Sequence, residues 1–381
     1  MSGDFGIAYP LWTDPQGPGR LLDQAIGEVG LDHLTIPVVT GPQEQFRPSP
    51  AQPPHCFHTE GGWHFPPHAA RYTDGPVRPR LARWFGKRDL LSRICEHAGG
   101  RDIAVIFRVD LRAVGGLVEH DPYLRTRNAW GDEVVPAGPC VSNPELRELL
   151  RATLDDLLRY EPAGFQLADW APDLPTGRGV ARPLDWQPLA RKLADVCFCP
   201  ACRQIATVSG TDPDQAARSA RVHVERLLTD PENGAVAAKA RDDEVLNAYV
   251  RARQQDNAAW LHQVAERHHA RRRYFLTDAA SAESVVVPLG QEAFQLVVRP
   301  FSLPVDREED ALGTPVRLAK HAFGLVLPVW RPAIHEGGQL VRHVSALRRA
   351  GVVFFDFEGL DEAPDEAVTW LRQAVRFARR D

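Results

Sequence analysis

Four cysteines have the spacing best suited to chemistry in this chain. Cys197, Cys199 and Cys202 cluster in Cys197-Phe198-Cys199-Pro200-Ala201-Cys202, and Cys140 lies far upstream in Gly138-Pro139-Cys140-Val141-Ser142-Asn143-Pro144. Four thiolates complete a tetrahedral zinc set, and the Cys-x-Cys-x-x-Cys turn lets three of them converge on one ion. A closed four-sulfur site has no open position for water or substrate, so it holds loops together and does not catalyse. Buried reduced thiols are one alternative, and a redox pair at Cys199-Pro200-Ala201-Cys202 is another. The redox role needs that motif at a helix start after a strand, in a small domain of its own, and the flanking sequence offers no such domain. Cys56 and Cys95 are left over as free thiols.

A second set of residues could move protons or bind a polar ligand. Asp169, Asp278, Arg299, Arg331, Asp356 and Glu358 lie at or just beyond the ends of short apolar runs, and Arg108 lies within one. Flat rings sit near them or in the longer connections: Tyr9, Trp12, Trp63, Trp130, Trp170 and Trp330. His55, His58, His64 and His68 share one Pro-rich stretch, but their spacing matches no recognised ligand frame, so loop packing is the simpler role. His33 and His97 fit ordinary element positions.

The apolar runs that must position these groups fall at 5–9, 33–38, 103–109, 164–168, 274–277, 294–298, 323–327 and 352–355. Amphipathic stretches at 19–29, 87–98, 143–158, 315–321, 338–350 and 365–378 alternate with them. Repeated β then α implies a parallel sheet, and the number of strands matches a (β/α)8 TIM barrel. The run 284–289 is a rival strand for the sixth unit. A doubly wound open sheet is the alternative fold, but Tyr9-Pro10-Leu11-Trp12 after the first strand is a poor phosphate cradle. Ser142 or Asn143 can cap the helix that begins with Pro144.

Two stretches break the rhythm within what reads as a single barrel domain over 1–381. Residues 39–86, after strand two, are rich in Pro, His and aromatics and read as a long loop packed by Trp63, Phe65, Tyr72 and Trp84. Residues 170–271, after strand four, read as a Cys-rich helical insertion with no core of its own, ending in a polar helix over about 242–269.

In a TIM barrel the site lies at the C-terminal ends of the strands. Alternation puts Phe165, Leu167 and Asp169 on one face, and Val352, Phe354, Asp356 and Glu358 on one face. Some of these acids could instead pair with Arg108, Arg299 or Arg331 to seal the barrel mouth.

Composition narrows the classes further. The net charge of −5 argues against a broad nucleic-acid surface, and no segment approaches the apolar length of a membrane span. Only Lys87, Lys192, Lys239 and Lys320 are lysines, an arginine bias spread along the whole chain. Six cysteines in a chain of this size, three of them clustered at metal-like spacing, fit a reducing cytoplasm better than a disulfide framework.

Cys140-Val141-Ser142-Asn143-Pro144-Glu145-Leu146-Arg147 before a helix, a strand ending at Asp169, and Cys197-Phe198-Cys199-Pro200-Ala201-Cys202-Arg203 together resemble the zinc-bearing TIM-barrel β-galactosidases of glycoside hydrolase family 42 and related bacterial barrels. The resemblance covers 140–203 specifically and is architectural elsewhere. It implies a structural zinc on Cys140, Cys197, Cys199 and Cys202, a carbohydrate substrate and glycosidic-bond chemistry. The family's Asn-Glu acid/base pair at the end of strand four is replaced here by Ala168-Asp169. Its nucleophilic Glu at the end of strand seven is replaced by Pro328-Val329-Trp330-Arg331.

Glycoside cleavage uses a proton donor and a second carboxylate, about 5 Å apart for retention or roughly 6.5 to 9.5 Å for inversion. The expectation is therefore Asp169 as acid/base with Asp278, Glu358 or Asp356 as second carboxylate. Tyr9, Trp12, Arg108, Trp170, Arg299, Trp330 and Arg331 would contact substrate. The rival is a catalytically silent barrel that binds a glycan or a protein partner through 39–86. Either form leaves a homo-oligomer open.

Overall fold

A computed structural model describes residues 4–46, 56–86, 88–112, 114–133, 138–168, 170, 188–269, 274–279, 295–298, 324–330 and 334–380. Its frame is a parallel sheet of eight strands: β1 (Asp4–Ala8), β2 (His33–Thr40), β6 (Ala104–Val109), β7 (Gly164–Ala168), β8 (Tyr274–Ala279), β9 (Gln295–Val298), β10 (Gly324–Pro328) and β11 (Phe354–Glu358). Parallel pairing runs β1–β11–β10–β9–β8–β7–β6–β2, and β2 pairs in turn with β1, so the sheet curls back on its first strand. This is a TIM-barrel-like α/β architecture.

Each apolar run named above coincides with one of these strands, within one to three residues at either end. The largest shift is in the last. Its expected end at 355 moves to Glu358, because Asp356 and Glu358 continue the pairing, with Gly6 opposite Asp356 and Pro328 opposite Glu358. A carboxylate inside a strand looked like an end signal, yet Asp356 is fully buried beside His33, whose Nε2 lies 4.0 Å from its Oδ1.

Strand alternation divides two cores. Phe5, Ile7, Leu34, Ile36, Phe107, Phe165, Leu167, Phe355 and Phe357 face the helical layer and join its large apolar cluster. Ile106, Val326 and Phe354 form a small cluster of their own, the opposite phase of the same strands. Burial on both faces explains why the runs read as continuous apolar stretches. Among the covering helices, α2 (Leu90–Gly99) is capped by the Asp89 side chain accepting from the Ser92 N–H. For α4 (Pro144–Leu157) the cap is Asn143, which accepts from the Glu145 N–H. The last two helices, α10 (Gly337–Arg349) and α11 (Glu366–Ala378), pack against one another.

The stretch after β2 is ordered by short pairings. A hairpin of β3 (Gln43–Phe46) and β4 (Cys56–Thr59) is followed by β5 (Gly62–Trp63), which pairs antiparallel with β2, and Trp63, Phe65 and Tyr72 are buried. The insertion after β7 departs from expectation. Helices α5 (Pro188–Ala194), α6 (Pro200–Val208), α7 (Pro213–Thr229), α8 (Gly234–Arg241) and the long α9 (Glu244–His269) enclose a separate apolar core. Small residues such as Ala216, Ala217, Ala220, Ala237 and Ala240 build it by close helix approach, so it carried no conspicuous large-apolar signal. The expected helix at 315–321 and the rival strand at 284–289 lie outside the described residues.

Candidate active site and thiolate cluster

A cavity of about 570 Å³ opens at the C-terminal ends of the parallel strands. Its wall includes Ala8 and Pro10 after β1, Pro37 and Thr40 of β2, Arg108 and Asp110 from β6, Pro328 and Trp330 from β10, and Glu358 of β11. The loop after β11 adds Gly359, Asp361 and Glu362, and the β3–β4 hairpin adds Gln43, Gln45 and Phe46.

Trp12 joins the hairpin to the barrel end. Its Nε1–H donates to Gln45 Oε1 at 2.6 Å, and its ring stacks on Phe57 with centroids 5.5 Å apart. Behind it, Trp84 Nε1–H donates to His64 Nδ1 at 3.0 Å, which leaves the proton on Nε2, 2.8 Å from Thr40 Oγ1. Burial pushes the His64 pKa down to about 3, so this ring is a neutral structural link. Among the described residues the only metal-like cluster is the cysteine set, and His58, His64 and His68 form none, while His55 lies outside the described residues.

The cavity is rich in carboxylates. Asp361 accepts from Thr13 Oγ1 at 3.2 Å. Glu362 is pushed up to about 7, by burial first and then by the negative charges of Asp361 and Glu358. Although exposed by surface area, it stands amid enough protein for that burial to act, and exposure keeps it reachable from the cavity.

Of the expected site residues, Trp12, Arg108, Trp330 and Glu358 line this cavity. Tyr9 is buried beside it, its hydroxyl donating to Asp14, and burial raises its pKa further. Trp170 is packed away from the cavity, stacked on Trp260 at 5.3 Å, with its carbonyl accepting from Asn257. Asp356 lies within the strand, buried against His33. In the backbone register Asp278 stands opposite Ala168 at the strand end. Asp169, Arg299 and Arg331 lie outside the described residues.

Asp110, Asp361, Glu362 and the two hairpin glutamines were not singled out from sequence. Asp110 had a signal, since it lies two residues past Arg108 in the same alternation. The Gly359-Leu360-Asp361-Glu362 turn resembles any solvated acidic loop.

The four cysteines converge as expected. All are buried, and their sulfurs lie within 4.8 Å of one another. Tetrahedral zinc with bonds of about 2.3 Å separates sulfurs by roughly 3.8 Å, so the set fits such an ion. Cys199 stands at the N-cap position of α6 without a side-chain cap hydrogen bond, and Pro200 and Cys202 lie in the first turn, where the helix N-terminus favours a Cys202 thiolate. The Cys199 N–H donates to Cys197 Sγ at 3.5 Å, and the fully buried Arg253 donates Nε–H to Cys202 Sγ at 3.2 Å.

Hydrogen bonds from Cys197 and Cys199 hold Cys140 below the ordinary thiol pKa. Burial works against Cys202, but hydrogen bonds from the other three sulfurs and the Arg253 charge bring it well below the ordinary value. Cys197 is raised by burial, and Cys199 by its bond to Cys140. Cys140 and Cys202 thus ionise more readily than Cys197 and Cys199, and a divalent cation at the centre favours all four as thiolates.

No protein-family model and no curated protein matches this sequence. Solved structures do resemble its fold. An α-L-fucosidase isoenzyme 2 from Paenibacillus thiaminolyticus aligns with a TM-score of 0.56 at 12% identity, over 99% of this chain and 49% of that one. A β-galactosidase from the psychrophilic Marinomonas ef1 aligns at 0.54 and 10% identity, over 98% of this chain and 59% of that one. A β-galactosidase from Bacillus circulans sp. alkalophilus gives 0.54 and 10%, over 98% and 55%. The chain therefore resembles glycoside hydrolase TIM barrels in fold and spans about half to three fifths of their length. Among the described residues no helix is long and apolar enough to cross a membrane.

Proposed function

We propose that this chain is a glycoside hydrolase-like enzyme that cleaves a glycosidic bond of a carbohydrate in the strand-end cavity. The observation that carries this is the lining of that cavity, where Glu358, Asp110, Asp361 and Glu362 stand together with Trp12, Trp330 and Arg108. Carboxylates supply the acid and base such hydrolysis requires, and indole faces stack on the apolar faces of sugar rings. Glu358, at the end of β11, is the second carboxylate. Asp278, opposite Ala168 in the strand register, is a further strand-end acid, and Asp169, outside the described residues, holds the acid/base position by the family resemblance alone.

The scaffold is a complete (β/α)8 barrel in this proposal, with a structural zinc held by Cys140, Cys197, Cys199 and Cys202. Zinc there contributes folding free energy and ties the segment after β6 to the insertion after β7. Its thiolate ligands suit a reducing, cytoplasmic setting.

The test is a panel of aryl glycosides with the zinc-replete protein and Glu358→Gln. Turnover that falls at least 100-fold in the variant supports the assignment. Binding of a glycan without turnover by the native protein instead supports a silent carbohydrate-binding barrel, and equal turnover by both proteins removes Glu358 from the chemistry.

A further inference from the structure

We propose that Glu362 is the proton donor to the departing sugar oxygen, a role that rests on the glycosidase reading above. β11 ends at Glu358, and the chain turns at Gly359, whose φ of +79° lies in the region open to glycine. The Glu362 N–H donates to the Gly359 carbonyl at 3.2 Å, closing a turn that brings Asp361 and Glu362 onto the cavity wall beside Glu358.

The acids lining this cavity are not equivalent. Asp361 is tied to the Thr13 hydroxyl, and Asp110 is nearly fully buried on the β6 side next to Arg108. Among the described residues the Glu362 carboxyl has no hydrogen-bond or ion-pair partner, and it is exposed to the cavity. An acid so placed has no cation holding it ionised, and the carboxylates of Asp361 and Glu358 repel a further negative charge. It keeps its proton to about neutral pH, where a leaving sugar needs one.

The chemistry balances as follows. The glycosidic C–O bond breaks with its electron pair moving to the departing oxygen, which takes the Glu362 proton, leaving Glu362 as carboxylate. Over the full cycle water adds across the bond: its hydroxyl ends on the sugar carbon and its remaining proton restores Glu362. The facing charges are Asp361 and Glu358 on its own segment and Arg108 and Asp110 across the cavity from β6.

Native protein and Glu362→Gln are compared on aryl glycosides with poor leaving groups (phenyl) and good ones (dinitrophenyl). A lost proton donor costs roughly 10²- to 10⁴-fold on the phenyl substrate and little on the dinitrophenyl one. The alkaline limb of the kcat/KM pH profile, near 7 in the native protein, disappears in the variant. Glu362→Asp partly restores the phenyl rate, and matched circular dichroism shows that the variants are folded. An active native enzyme whose Glu362→Gln form keeps both the phenyl rate and the alkaline limb overturns the donor role alone. A native protein that turns over no glycoside in the panel overturns the glycosidase reading, and the donor role with it.

Discussion

Arg253 Nε–H points at Cys202 Sγ from 3.2 Å, from a side chain with no exposed surface. Its guanidinium also lies over the Tyr249 ring at 5.7 Å, and the Tyr249 hydroxyl donates to the Cys197 carbonyl at 2.8 Å. Helix α9 thus supports the thiolate cluster through two adjacent side chains one turn apart. A tetrathiolate around the proposed divalent ion would carry net negative charge, which the buried Arg253 guanidinium would offset. Arg253→Met keeps much of the volume and removes that cation. We expect metal retention, measured by competition with a chromophoric chelator, to fall roughly 10- to 100-fold. Unchanged retention would assign Arg253 to packing alone.

Of the four clustered cysteines only Cys140 lies outside the insertion, so its loss separates the proposed metal binding from local turn structure. Cys140→Ser should lower bound zinc, read by elemental analysis, and loosen the segment before α4, read as faster amide exchange near Leu124, whose carbonyl accepts from the Cys140 N–H. Equal zinc in both proteins, or none in either, refutes the four-cysteine site.

The barrel strands and the cysteine set were legible because both are local signals: apolar runs bounded by turns, and a Cys-x-Cys-x-x-Cys spacing. Asn143 before Pro144 likewise announced its cap. What local pattern does not encode is which distant loops meet. Gln45 reaches Trp12 across thirty-three positions and Asp361 reaches Thr13 across 348, so the hairpin and the acidic turn entered the cavity unannounced. Trp170 illustrates the opposite failure: its position after a strand end suggested the mouth, but stacking on Trp260 of α9 buries it.

Gly6 shows how tightly the barrel interior is filled. A Cβ at this position would lie 2.1 Å from the His33 ring, which is itself stacked on Phe354 at 4.3 Å and fully buried. The ring therefore has nowhere to retreat. Gly6→Ala should cost about 1 to 3 kcal/mol in urea unfolding. The same substitution in a His33→Ala background should cost much less, because the colliding atoms are gone. An equal cost in both backgrounds would place the strain in the backbone.

The raised pKa of Glu362 also makes a stability prediction that needs no substrate. Its native pKa of about 7 exceeds the ordinary carboxyl value of 4.5 expected of the unfolded chain, so between these values the folded state binds the proton more strongly. Its contribution is fully present below about pH 4.5 and is lost as pH rises through 7. Because the side chain is exposed and solvent screens the repulsion from Asp361 and Glu358, the loss is small and best read as a difference between proteins. Glu362→Gln carries no titrating proton there, so its melting temperature relative to the native protein should rise from pH 5 to pH 8, with most of the change between 5 and 7.5. Added salt should shrink that rise by screening the two neighbouring carboxylates. A difference that is flat across this range would place the Glu362 pKa at its ordinary value and leave the carboxyl ionised at neutral pH.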